Sequence, residues 1–413
     1  MKKVKKNSLI LIVVTLLNGW LNAQTLDTLL QRVVEGNLDL KRLQLEYEAE
    51  LTKKQQVSQL PNPQAGVGIP VSTPETRLGP QVLMISASQM FPWFGTLKLK
   101  EELVIAISKV KYEKIAALKL NLFHQVKAAY YKLYFIKRNQ EILKETIKRY
   151  ESIESIALAK IEGGFSNTAD VLRIQSKLLS IRQEQLILDN RKKPLESKIN
   201  ELTKQPLSNS IVLDDSLQVS HVLFDVETYR SKIEQYHPLI IQIDYEIESS
   251  QKQIEVNENI NKPVIGIGVD YSFVEKRTDA NPRYNGRDIL VPKFMVSLPL
   301  YRKAYKAKNA EEKINQEALL LKKESLTDRM ISMLITYQSD YNNAVLLEEL
   351  AKKQKDIITS AYDVLVANYS SSGMGFEELL MVQNQLFSLD LDMFKAKLEA
   401  NLAINNIERI ADF

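Results

Sequence analysis

Cysteine is absent from all 413 residues. That excludes disulfides, thiolate metal sites, a cysteine nucleophile and a lipid-modified N-terminal cysteine. Histidine is nearly absent: His124, His221 and His237 are the only three. They lie far apart without the spacing of metal ligands and read as ordinary surface or interface residues. Beyond the N-terminus no apolar run reaches the ~18 residues of a transmembrane helix. The sequence has no His/Asp/Ser constellation, phosphate loop or metal cluster, so it points away from an enzyme and from any cofactor or metal. Gly66 with Gly68, and Gly266 with Gly268, lack the third glycine and the following helix of a dinucleotide loop.

Residues 1–23 read as a secretory signal. Lys2, Lys3, Lys5 and Lys6 precede the apolar stretch Leu9–Leu17, and Leu21-Asn22-Ala23 offers a small-residue cleavage site. The alternative is an anchoring helix, for which the stretch is short. The whole chain has 55 basic and 51 acidic residues. The signal holds four lysines and no acid, so the mature chain is formally neutral. That removes the basis for a nucleic-acid partner. An exported chain without a second apolar helix is periplasmic, secreted, or held in an outer membrane by strands.

The sequence also repeats itself. Pro63, Gly66, Gly68 and Ser72 recur 200 residues later as Pro263, Gly266, Gly268 and Ser272. Pro92 recurs as Pro299, and Ile161, Gly164, Asp170, Val171, Leu172 and Gln175 as Tyr369, Ser372, Glu378, Leu379, Leu380 and Gln383. A self-similarity of this length marks a duplicated half-protein. After the signal we divide the chain into a first repeat, 24–211, and a second, 212–413. Each half has the order helix, strand, loop, strand, very long helix, tight turn, helix.

In the first half, Leu26 to about Leu60 is predicted helical, followed by strands at about 61–71 and 80–93. A long helix follows at about 96–160, and a return helix at about 167–203 with Pro194 as the expected kink. In the second half the strands fall at about 261–275 and 288–301, the long helix at about 304–368 and the return helix at about 376–410. A run of about 65 residues would make a helix roughly 97 Å long. Leu118, Leu122, Val126, Ala129, Leu133 and Ile136 on one rod, and Leu326, Met330, Met333, Tyr337 and Tyr341 on the other, follow the spacing of three and four of a coiled-coil seam.

The strands alternate. Ile265, Ile267, Val269, Tyr271 and Phe273 share one face, and Gly266, Gly268, Asp270 and Ser272 share the other. Four strands cannot close a barrel, and an open edge does not survive in a bilayer. Three copies would supply twelve strands, with the polar set facing a lumen and the apolar set facing lipid.

The order of elements, the duplication and the repeated turn motif resemble the TolC-like outer-membrane efflux proteins. The motif is carried by Gly164, Asn167, Asp170, Val171, Leu172 and Gln175, and by Tyr369, Ser372, Gly375, Glu378, Leu379, Leu380 and Gln383. The resemblance covers the mature chain, and the junction SQMFPWFGTLK is similar to the heavy-metal exporter branch. It implies a mainly α fold with a membrane β-barrel contribution: a homotrimer with a twelve-strand barrel in outer-membrane lipid and a helical tunnel in the periplasm. It further implies an exit duct of a tripartite efflux or type I secretion system. Its partners would be a periplasmic adaptor and an inner-membrane transporter of RND or ABC type, with no catalysis of its own.

By the same resemblance Tyr369 and Glu378 form the periplasmic gate. The family's second acid is replaced by Met381 and its basic loop partner by Met374, so its ion-pair lock does not carry over. A ring of three Glu378 would favour cations; the plainer reading of Glu378 is an acid complementing a helix dipole, and that of Tyr369 is helix-end packing. Gly163, Gly164, Phe165, Gly373, Met374, Gly375 and Phe376 are expected at exposed tips that contact the adaptor, unless the two phenylalanines fold back onto their own helices. The rival functions are a periplasmic adaptor, which normally has one hairpin where this chain has two, and a soluble coiled-coil scaffold, which leaves the amphipathic strands unexplained.

Overall fold

A computed structural model describes residues 25–162, 167–214, 225–372 and 375–411. The signal segment lies outside the described residues, as do the tip residues Gly163, Gly164, Phe165, Gly373 and Met374. Eight helices and five strands occur among the described residues. The helices are α1 (Leu26–Gly36), α2 (Leu38–Val57), α3 (Thr96–Glu162), α4 (Thr168–Leu202), α5 (Val226–Tyr236), α6 (Pro238–Ile260), α7 (Lys303–Ser372) and α8 (Phe376–Ala411). The strands are β1 (Gln64–Gly68), β2 (Glu75–Thr76), β3 (Gly79–Phe91), β4 (Val264–Val274) and β5 (Ile289–Ser297).

Two differences from the sequence reading have clear causes. The first helix is not continuous to about Leu60 but breaks at Asn37, whose extended backbone ends α1. The Asn37 side chain accepts hydrogen bonds from Asp39 N at 3.0 Å and Leu40 N at 3.2 Å, capping α2, while its amide donates to Leu202 O. His237 breaks α5 from α6 in the same backbone conformation, at the offset of 200 that relates the two copies. The second difference is β2, two residues long, which pairs with the start of β3. Helix α4 runs through Pro194.

The chain divides into two compact units. One contains the described residues up to Lys41, Ala116–His237 and those from Thr327 onward. Its core is a cluster in which Leu143, Tyr150, Ile153 and Ala157 of α3 meet Val171, Ile174, Leu178 and Ile181 of α4, with Tyr369, Phe376 and Leu379 from α7 and α8. These positions are separated by three, four or seven residues along each helix, the spacing that brings one helical face to a neighbour. A second cluster joins Tyr341 and Ala344 to Ala400, Ala403 and Ile404, where small side chains permit close helix approach. The core is also tied by Tyr130, whose hydroxyl donates to Asp214 Oδ2 and accepts from Asp214 N, both at 2.9 Å.

The other unit, Arg42–Ile115 with Pro238–Leu326, carries the sheet. Its strands run in the order β1-β3-β4-β5, all antiparallel. The two copies are joined at the centre, where β3 and β4 pair from Gln81–Val274 to Phe91–Ile265. Among the described residues, strands β1 and β5 each hydrogen-bond on one side only. The adjoining helices are cross-linked by polar contacts: Lys252 with Glu102 at 2.9 Å, Lys323 with Asp244 at 2.6 Å, and Ser250 Oγ donating to Glu312 at 2.7 Å.

Candidate functional site

The sheet sorts its side chains by pleat. Ile265, Ile267, Val269 and Tyr271 are 37% to 48% exposed, whereas Gly266, Asp270 and Ser272 on the opposite face are buried and Gly268 is half-buried. Phe273 is half-buried on the apolar side and meets Tyr271 edge-on, with centroids 4.9 Å apart. Register extends the apolar face across the strands. Phe91, Ile265 and Val296 lie in one row, Ile267 and Phe294 in the next, and Val67, Ile85, Tyr271 and Leu290 in a third. A two-residue period places every member of each row on the same side. Exposed apolar surface this continuous marks a surface that another apolar phase or protein covers.

On the opposite face Asp270 forms an ion pair with Lys293. Gly266 lies between Met90 and Met295 in a single cross-strand row. A Cβ there would overlap Met90 Sδ and come within 3.1 Å of Met295 Cε, so the glycine is what lets the two thioethers close over the strand. At the junction with α3, Gly95 has φ +83° and Asn259 donates to Phe94 O at 3.1 Å, which turns the chain from strand to helix.

The second candidate region is the pair of helix turns. Asn167 caps α4 by accepting from Ala169 N at 3.1 Å, and Gly375 takes φ +85° ahead of α8. Tyr369 is fully enclosed and its ring lies 5.5 Å from that of Phe376. Tyr369 is therefore a packing residue within its own chain. Phe376, expected at an exposed tip, is buried instead: it folds back over the helix end because an aromatic ring gains more against Tyr369 and Leu379 than in water. Glu378 remains exposed and Gly375 is half-buried.

Three contacts here escaped the sequence reading. Glu377, not Glu378, forms an ion pair, and its partner is Arg173 in the first turns of α4. Lys160 Nζ also donates to Ser371 O at 3.2 Å. The adjacent acids Glu377 and Glu378 were visible in the sequence, but the choice between them depends on which faces α4. Tyr150 is buried, donates to Asn384 Oδ1 at 3.0 Å, and has its phenol pushed up to about 12 by burial.

Among the described residues no group of His, Asp and Glu is arranged to hold a metal ion, and no helix is long and apolar enough to cross a membrane. His124 bonds Asn406 Oδ1 through Nε2 at 2.7 Å, and His237 is buried at the α5–α6 break. His221 lies outside the described residues.

No protein-family model matches the sequence, and no curated protein sequence matches it. Solved structures do. The outer-membrane channel OprN aligns over 94% of this chain and 89% of its own, with 16% identity and a TM-score of 0.75. CusC, a protein described by its folding and transmembrane channel formation, aligns over 94% and 92% with 15% identity and a TM-score of 0.72. The Neisseria gonorrhoeae outer-membrane channel MtrE, solved in its open state, aligns over 94% and 88% with 13% identity and a TM-score of 0.72. Across nearly its whole described length, this chain has the fold of outer-membrane channel proteins.

Proposed function

We propose that this chain is one protomer of an outer-membrane exit duct, a passive conduit of a tripartite efflux or type I secretion system. What carries the proposal is a sheet with one continuous apolar face and two edges, β1 and β5, paired on one side only among the described residues. In hydrocarbon each unpaired backbone group costs several kcal/mol, so such a sheet spans a membrane only as part of a closed barrel. Closure by β5 of one copy on β1 of the next, repeated three times, gives twelve strands and a homotrimer. The apolar set Ile265, Ile267, Val269, Tyr271 and Phe273 then meets lipid. Gly266, Gly268, Asp270 and Ser272 line the lumen.

The long helices form the periplasmic tunnel, and their turns meet a periplasmic adaptor coupled to an inner-membrane transporter. Glu378 supplies a carboxylate at the mouth, and Tyr369 acts behind it by holding the α7–α8 turn. The Arg173–Glu377 pair links the two hairpins near that mouth. The energy is the transporter's.

The test is the detergent-corrected mass, by light scattering, of protein extracted from the outer-membrane fraction. A mass near three mature chains is expected. Recovery as a monomer from the soluble periplasmic fraction would refute the duct and favour a periplasmic scaffold.

A further inference from the structure

The turn joining β4 to β5 holds an unusual arrangement of charge. The guanidinium of Arg283 lies 5.0 Å and that of Arg287 5.2 Å from the centroid of the Tyr284 ring. All three side chains are exposed. Pro282–Arg287 contains no acid. The acids nearest in sequence are engaged: Asp279 by Arg277, and Asp288 by Tyr271 Oη at 2.6 Å and Val274 N at 2.9 Å. The loops 72–79 and 275–288 together carry five basic and four acidic residues, so the local arrangement, rather than net charge, distinguishes the turn.

That arrangement is held in place. Tyr284 has φ +75°, a left-handed backbone that is strained for a tyrosine. Gly286 N donates to Leu78 O at 2.7 Å, tying the turn to the preceding loop. Asn285 accepts from Arg277 N at 2.8 Å and its amide donates back to Arg277 O at 3.2 Å. The turn presents two cations around one ring, whose π face attracts each of them, and leaves both guanidiniums exposed to an anion.

Location narrows the anion. The turn lies at the end of β4 and β5 opposite the helix junctions at Phe91 and Val264. The apolar face ends beside it in the Tyr271–Phe273 ring pair, and aromatic residues of this kind mark membrane–water interfaces. We infer that Arg283, Tyr284 and Arg287 form a binding site for the phosphate of a lipid headgroup in the exterior leaflet. The guanidinium forks take the phosphate oxygens in bidentate fashion and Tyr284 Oη supplies a further donor. The inference rests on the outer-membrane reading above.

The full-length protein in nonionic detergent is titrated with bisphosphorylated lipid A, with its dephosphorylated form and with inorganic phosphate, using native mass spectrometry and thermal-shift measurements. The phosphorylated lipid should bind about tenfold more tightly than the dephosphorylated one, and R283Q/R287Q should abolish that preference. K303Q/K306Q, at the helix end of the same sheet, should retain it. Equal binding of both lipids, or an unchanged preference in R283Q/R287Q, would overturn the site. Inorganic phosphate binding as tightly as the lipid would overturn the lipid assignment. Membrane fractionation of the same variant separates the two readings: a chain still in the outer membrane but indifferent to lipid phosphate refutes only this inference.

Discussion

Replacing Tyr369 with alanine tests whether the helix turn at the proposed mouth is held by aromatic packing. The side chain has 0% exposure and sits among Phe376, Leu379, Val171 and Ile174. Truncating a buried aromatic of this size costs about 3–5 kcal/mol, of which about 0.5–1.5 kcal/mol belongs to the ring pair with Phe376. The contacts are confined to one end of one unit, so the loss should appear as local opening rather than as a lower global transition. If local opening absorbs about 3 kcal/mol, amide exchange across 365–385 accelerates roughly a hundredfold. Exchange near Tyr341 and Ala400, in the separate alanine-rich cluster, should stay the same. Hydrogen exchange with mass-spectrometric readout measures both segments in one experiment. Y369F keeps the ring and should accelerate exchange less than Y369A. Exchange at 365–385 unaltered in Y369A, or Y369F as damaging as Y369A, would refute the packing argument. In planar bilayers Y369A should raise single-channel conductance, because a loosened turn no longer holds the mouth.

Three further outcomes are expected. His237 is buried, and burial, only partly offset by a backbone hydrogen bond with Arg409, pushes its imidazole down to about 4. The folded state therefore holds it neutral, so its stabilisation is complete above the unfolded value of ~6.5 and lost as pH falls toward 4, by about 3 kcal/mol. H237N, which installs the residue of the equivalent break at Asn37, should flatten urea-measured stability across that window; an unchanged pH slope would sink the assignment. Burial draws the Glu50 carboxyl upward, but Lys111 at 2.8 Å and Lys53 at 3.0 Å outweigh it and hold the pKa below the ordinary value. K111M should cost stability at neutral pH, less than the ~3–5 kcal/mol of a fully buried pair because Lys111 is partly exposed, and E50Q/K111M should recover most of it; denaturant midpoints decide. Arg173 and Glu377 are both exposed, so R173A should change stability by less than about 1 kcal/mol yet raise conductance, and E378Q should lower cation selectivity. Conductance and selectivity unaltered in both variants would remove these residues from the mouth.

Much of the candidate site was legible because two periodicities carry it. The period of two in Ile265–Phe273 separates an apolar from a polar face whatever the strands pair with, and the spacing of three and four in the long helices marks their buried stripes. The structure added an equivalence that the sequence reading missed: at Asn37 and His237, 200 residues apart, different side chains break the helix at the same step, and both backbones turn extended there.

What sequence could not settle is the environment of equivalent residues. Val171 and Leu379 are both buried, but Leu172 is 60% exposed where Leu380 is partly covered by the core. Gln175 is exposed and bonds Glu154 at 2.8 Å, while Gln383 is fully buried. Phe376 turned inward, Glu377 rather than Glu378 took the ion pair, and an arginine–tyrosine–arginine turn formed at the strand ends. Sequence by itself determined the repeat, the long helices and the two faces of β4, because these depend on local period. Tertiary structure alone decided burial and pairing at the turns, because a helix face is covered only by whichever neighbour the fold brings against it, and the two copies have different neighbours.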